Sequence, residues 1–152
     1  MPLINYMNKS PDEFRNANFE GHGSCMDMMF SLIARIFEIS KIKDCEMEAM
    51  CSVTLLIAML ENVSGIESSL HNILEYLVKE LSQAKTPEYK CMISQGICMS
   101  LHYSTNHTLM SLEQMGCTSN FVDLIFSQVE SLKNDFEIKR FIIGLSTLMK
   151  MD

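Results

Sequence analysis

The segment Ile66-Glu67-Ser68-Ser69-Leu70-His71-Asn72-Ile73-Leu74-Glu75-Tyr76-Leu77-Val78-Lys79-Glu80-Leu81 decides the fold. Its apolar positions Ile66, Leu70, Ile73, Leu74, Leu77 and Leu81 recur at helical spacing and trace one stripe, with Glu67, Asn72, Glu75 and Lys79 off it. Ser64-Gly65-Ile66-Glu67 has the form of a capping box and opens this helix. The preceding run, Val53 to Leu60, is apolar through most of its circumference, interrupted only by Thr54. A helix with one stripe covers a neighbour, whereas a helix apolar nearly all round is packed on several sides.

The same alternation extends in both directions. Cys25 to Ile39 reads as a largely one-sided helix, and Asp44, as an N-cap, opens the apolar one that runs to Val63. Thr86-Pro87-Glu88, with Thr86 capping and Pro87 in the first turn, opens a second nearly all-apolar helix carrying Cys91, Met92, Ile93, Ile97, Cys98, Met99 and Leu101. A linking segment, Ser104 to Gly116, holds one short helix over Thr108 to Met115. Thr118 or Ser119 starts a largely one-sided helix with Phe121, Val122, Leu124, Ile125, Val129 and Leu132. Asn134-Asp135-Phe136-Glu137 caps a last apolar helix with Ile138, Phe141, Ile142, Ile143, Leu145, Leu148 and Met149. Residues 1–24 read as an irregular lead-in, with a helical turn at Ser10-Pro11-Asp12-Glu13 and a loop at Gly21-His22-Gly23-Ser24.

Three Pro and six Gly in 152 residues agree with a chain built of long helices. The expected fold is therefore all-α: an α-α superhelix, a HEAT/armadillo-like solenoid of about three antiparallel helix hairpins. The repeat segment spans 25–152, with approximate repeats 25–63, 64–104 and 118–152. The inner starts Asp44, Thr86 and Asp135 are 42 and 49 residues apart, which fits the roughly 40–47-residue period of that repeat class given a short insertion before the fifth helix. A plain helical bundle gives a similar alternation.

The formal net charge of -7 argues against direct nucleic-acid binding, because an acidic chain is repelled by phosphate backbones. No apolar run reaches the length of a membrane helix, so membrane insertion is not expected. The six cysteines form no C-x-x-C pair and the N-terminus has no secretory signal, which predicts reduced thiols in the cytoplasm or nucleus. His102 and His107 are five residues apart, not at the i, i+4 step of a helical zinc pair, and no H-E-x-x-H occurs. Phosphate loops, nucleophile elbows and kinase signatures are also missing from the sequence. The expectation is a protein that is not an enzyme and needs no cofactor or metal.

Several stretches resemble, in order, the C-terminal HEAT repeats of the importin-beta superfamily (karyopherin-beta), in the branch containing importins seven and eight. Pro2-Leu3-Ile4-Asn5-Tyr6 is similar to a segment preceding one repeat, Cys45 to Leu60 to its inner helix, and Ile66 to Leu81 to the next outer helix. Cys91 to Tyr103, ending Ser100-Leu101-His102-Tyr103-Ser104, is similar to the next inner helix, and Leu109-Met110-Ser111-Leu112-Glu113 to the short segment after it. Phe136 to Leu148, with Lys139-Arg140 and Ile143-Gly144-Leu145, is similar to a last inner helix.

The resemblance implies a segment of a nuclear transport receptor. In the family, inner helices line a concave cargo surface and outer helices can bind the phenylalanine-glycine repeats of nucleoporins. The main Ran-binding surface of the family lies in N-terminal repeats that have no counterpart here, so Ran GTPase is an expected partner only of a longer chain. Residence in both cytoplasm and nucleus follows from the same reading. The polar residues opening the inner helices, Asp44, Glu48, Glu88, Lys90, Glu137 and Lys139, are the candidate partner-binding residues, although acids favour a first helical turn in any case. An apolar last helix with Phe141, Ile142, Leu145 and Leu148 predicts an exposed patch and self-association through that helix. The alternative is a stand-alone helical-bundle scaffold or regulatory interaction protein unrelated to transport.

Overall fold

The computed structural model describes residues 2–21 and 23–150. His22, within the expected loop, and the last two residues of the 25–152 segment lie outside the described residues. Among these residues the chain is all-α apart from one two-residue antiparallel bridge, in which Asn18–Phe19 (β1) pairs with Gly23–Ser24 (β2). It divides into two units, Met1–Gly65 and Ile66–Asp152.

The first unit holds α1 (Pro2–Lys9), α2 (Pro11–Asn16), α3 (Cys25–Lys43) and α4 (Glu46–Asn62). Residues 1–24, expected to be irregular, thus carry two helices. Each buries one large side chain completely, Met7 on α1 and Phe14 on α2, and Tyr6 meets Phe14 edge-on at 6.0 Å. Helices this short show too few turns for a period to stand out in the sequence. Helix α1 packs on α4 and α2 on α3. Ser24 opens α3 with a capping box: its hydroxyl accepts from the Asp27 amide at 3.0 Å, and the Asp27 carboxylate accepts from the Ser24 amide at 3.3 Å.

Asp44 is not the N-cap of the following helix. It sits in the left-handed region, φ 51°, and stops α3. The Cys45 amide reaches back to the Ser40 carbonyl at 3.0 Å, the closing bond of a left-handed helix stop, and Cys45 precedes α4. Asp tolerates this conformation better than most residues because its short polar side chain bonds locally. The competing signal was the run Ser40-Lys41-Ile42-Lys43, which continues α3 rather than linking two helices. Across the resulting hairpin, Ser52 donates to the Ile33 carbonyl at 3.5 Å, and α4 buries six consecutive residues, Leu55 to Leu60.

At the end of this unit Gly65 has φ 72°, and the Arg15 guanidinium occupies the place a Cβ would take there. Arg15 Nη1 donates to the Ser64 carbonyl at 2.7 Å. Ser64 therefore does not cap the next helix. A 3-10 turn, Glu67–Ser69, intervenes, and α5 begins at Leu70.

The second unit contains α5 (Leu70–Leu81), α6 (Pro87–Tyr103), α7 (Thr105–Gln114), α8 (Thr118–Gln128) and α9 (Asp135–Leu148). Helix α5 buries Leu70, Ile73, Leu74 and Leu77, the expected stripe, each such side chain contributing roughly 1.5–3 kcal/mol. It runs antiparallel to α6: Tyr89 donates to the buried Glu80 carboxylate at 2.9 Å at one end, and the Ile66 amide donates to the Tyr103 hydroxyl at 2.9 Å at the other. Thr86 caps α6, accepting from the Tyr89 amide at 3.3 Å.

Helix α6 packs against α5, α7, α8 and α9, and every residue from Ile93 to Leu101 is buried. Its most extensive partner is α9, which runs parallel to it. Lys133 lies 3.9 Å from Glu88, Arg140 donates to Gln95 at 3.1 Å, and Thr147 donates to the Leu101 carbonyl at 3.4 Å. The two backbones close in at Gly144. A Cβ there would lie 2.7 Å from the Cys98 Cβ and carbonyl carbon and closer still to its oxygen. Gly144→Ala is therefore expected to destabilise the second unit by about 1–3 kcal/mol despite alanine's better helix propensity, read as a lower midpoint in urea unfolding. An unchanged or raised midpoint contradicts this packing.

Candidate protein-interaction surface

Helix α9 presents two apolar faces. Phe141 and Gly144 face inward and are buried, so Phe141 does not join the patch expected of the last helix: α6 covers it. The exposed Ile138 and Ile142 lie on an adjoining face, the half-buried Leu145 borders it, and Met149 follows just past the end of the helix, at steps of four, three and four residues. Ile142 is 62% exposed and Met149 88% exposed, while Leu145 and Leu148 are half-buried. A four-three-four progression is the spacing of a seam that receives another helix.

Helix α8 has the same double character. It buries Phe121, Ile125 and Gln128 and leaves Val122 and Phe126 exposed, Phe126 by 72%; the exposed Val129 follows in the 3-10 turn Val129–Ser131. In the sequence Val122 and Val129 read as part of one stripe with Phe121 and Ile125. Phe121 and Val122, like Ile125 and Phe126, are one position apart and point about 100° from each other, so one face cannot hold both members of either pair.

The candidate polar residues separate into distinct settings. Asp44 and Glu48 belong to the first unit, where Glu48 accepts from Lys43 Nζ at 2.9 Å, and that hydrogen bond raises the Lys43 ammonium above its ordinary value. The other four belong to the second unit, where the parallel pairing sets the starts of α6 and α9 side by side. Glu88 lies near Lys133 there, and Glu137 is turned to its own helix end. Lys139 is exposed and Lys90 half-buried. Arg140, absent from the sequence-derived set, makes a polar contact between helices at this edge: it donates to the buried Gln95 at 3.1 Å and lies 5.6 Å over the Phe136 ring.

The thiols nearby are closed off. Burial pushes the Cys98 thiol up to about 12, with Cys91 adding to the shift. Burial also raises Cys91, opposed by a hydrogen bond from Gln95 and reinforced by Glu137 and Glu88. Neither is poised as a nucleophile, since the thiolate is the reactive form. His107 Nδ1 is paired with the Ser104 hydroxyl at 2.8 Å, and no group of three or more His, Cys, Asp or Glu among the described residues could hold a metal ion. No described helix is long and apolar enough to cross a membrane.

No protein-family model, curated protein or solved structure matches the chain.

Glu137 provides a titratable check on this edge. Its carboxylate accepts from the Lys133 amide at 2.9 Å and the Asn134 amide at 3.1 Å. Partial burial works against the charge, but these backbone bonds and the Asn134 side chain together hold the carboxyl below its ordinary value. A carboxyl lowered in the folded state stabilises fully above its unfolded value of 4.5 and loses that contribution as pH falls through the lower folded value. Glu137→Gln should therefore be less stable than the wild type at pH 7, and the gap should narrow as pH falls below 4.5, measured by urea unfolding across pH. A gap of constant size excludes the carboxylate cap.

Proposed function

We propose that this chain is a protein-binding helical-repeat segment of an importin-beta-like nuclear transport receptor, acting by surface complementarity and without catalysis. The observation that carries the reading is the parallel α6–α9 pair. Lys133 stands by Glu88 and Thr147 by Leu101, offsets of 45 and 46 residues, within the HEAT/armadillo period. Parallel inner helices at that offset, with α5 antiparallel on the first of them, are what a stacked-hairpin superhelix requires. The apolar outer faces of α8 and α9 supply surfaces for protein segments. On this reading the partners are cargo proteins and nucleoporin repeats, with Ran joining only through a longer chain, and the protein works in cytoplasm and nucleus.

The scaffold alternative has one observation in its favour. Helix α9 takes α6 as its main partner, whereas a plain hairpin repeat would pair it chiefly with α8. A purified nucleoporin phenylalanine-glycine segment, titrated against the chain and followed by fluorescence anisotropy, separates the readings. Saturable binding that weakens at least tenfold in Phe126→Asp is expected for the transport segment. Absence of binding up to about millimolar peptide rejects it and leaves the scaffold.

The α9 seam also supports self-association through the last helix. Light scattering should give a dimer mass for the wild type and a monomer mass for Ile142→Asp. A monomeric wild type rejects pairing through this face.

A further inference from the structure

A pocket of about 230 Å³ opens in the second unit where α5, α6, α7 and α8 converge. Ile97, Leu112 and Phe121, all buried, line it together with the half-buried Val78 and Leu81 and the thiol-bearing Cys117. No charged side chain contributes to its wall, and its two polar linings, Ser82 and Asn120, are exposed residues. The Ser82 hydroxyl already donates to the Lys79 carbonyl at 2.8 Å, and the Cys117 thiol to the Met115 carbonyl at 3.2 Å.

We propose that this pocket is a binding site for a small uncharged apolar molecule, of the size of an alkylbenzene. The inference rests on volume and lining and does not depend on the transport reading. A water molecule needs two to four polar partners to be held in place, and the walls offer only Ser82, Asn120 and Cys117, of which Ser82 and Cys117 are already bonded to backbone carbonyls. Void beside such walls forfeits the dispersion contacts that a filled site recovers. A dry cavity of about 150 Å³ lined by Leu, Ile and Phe suffices for benzene, so the present volume takes a ring with a short alkyl chain. A carboxylate or ammonium would find no counter-charge in the wall and would lose its hydration on entry. Helix α7, ten residues long, packs on α5, α6 and α8, and α8 packs directly on α6, so the four helices converge at the pocket.

The probe is n-butylbenzene, titrated against the full chain. Cys117 serves as a built-in reporter, because it lines the pocket and is half-buried, while the half-buried Cys45 and Cys51 lie in the other unit. Saturable binding with a Kd on the order of 0.1–1 mM is expected. At saturation, iodoacetamide labelling of Cys117, followed by mass spectrometry, should slow at least fivefold while Cys45 and Cys51 label at unchanged rates. Val78→Phe, which fills the pocket from its rim, should abolish both the binding and the protection. Absence of saturation, equal protection of all three cysteines, or binding retained in a folded Val78→Phe variant overturns the proposal. The cysteine pattern in the wild type decides the matter even if that variant does not fold.

Discussion

Helix α6 has no outward face between Ile93 and Leu101, and the rest of the second unit is arranged around that fact. A fully enclosed helix must satisfy its polar side chains without bulk water. Ser94 and Ser100 do so by donating to carbonyls four residues back, Lys90 and Gly96, at 2.8 and 3.1 Å. Gln95 is met from outside by Arg140 of α9, a charge-assisted bond across the tightest helix pair in the molecule. Enclosure on all sides requires four covering helices, and α5, α7, α8 and α9 are those four. The inserted α7 is part of this cover: His71 of α5 and Ser111 of α7 share a hydrogen bond at 3.2 Å that ties it down.

Covering one helix from every side leaves the covering helices with work on only one of their own faces. Helix α5 accordingly has a clean polar outer face. Helices α8 and α9 do not, and their second apolar faces are the feature of the surface that packing within the unit does not explain. Isolated exposed apolar residues are ordinary, but rows of them at helical spacing are not.

Most of the helix inventory was legible in the sequence because it rested on period and caps. The stripe of α5, the Thr86-Pro87 start of α6 and the Asn134–Glu137 box of α9 each combine a local signal with a long one. Three things were not legible. The N-terminal helices are too short to show a period. Asp44 carries the residue type of an N-cap while its backbone performs a helix stop, and only the course of the chain through Lys43 tells the two apart. The double faces of α8 and α9 read as excess hydrophobicity, because composition along a helix does not say which side a neighbour will take. The candidate polar residues were drawn from helix starts, where acids serve their own backbone, as Glu137 does. Arg140, one turn further in, engages a neighbouring helix and was hidden by its mid-helix position.

The contact of Arg15 with the Ser64–Gly65 backbone ties residue 15 to a turn 49 positions later. Exposed turns of small residues, as Ser64 and Gly65 are, are preferred sites of proteolytic nicking. The guanidinium occupies that site and removes the slack. Trimming the first sixteen residues would therefore unlatch the turn and hand proteases a cleavage point at the boundary of the first unit, far in sequence from the trimmed end.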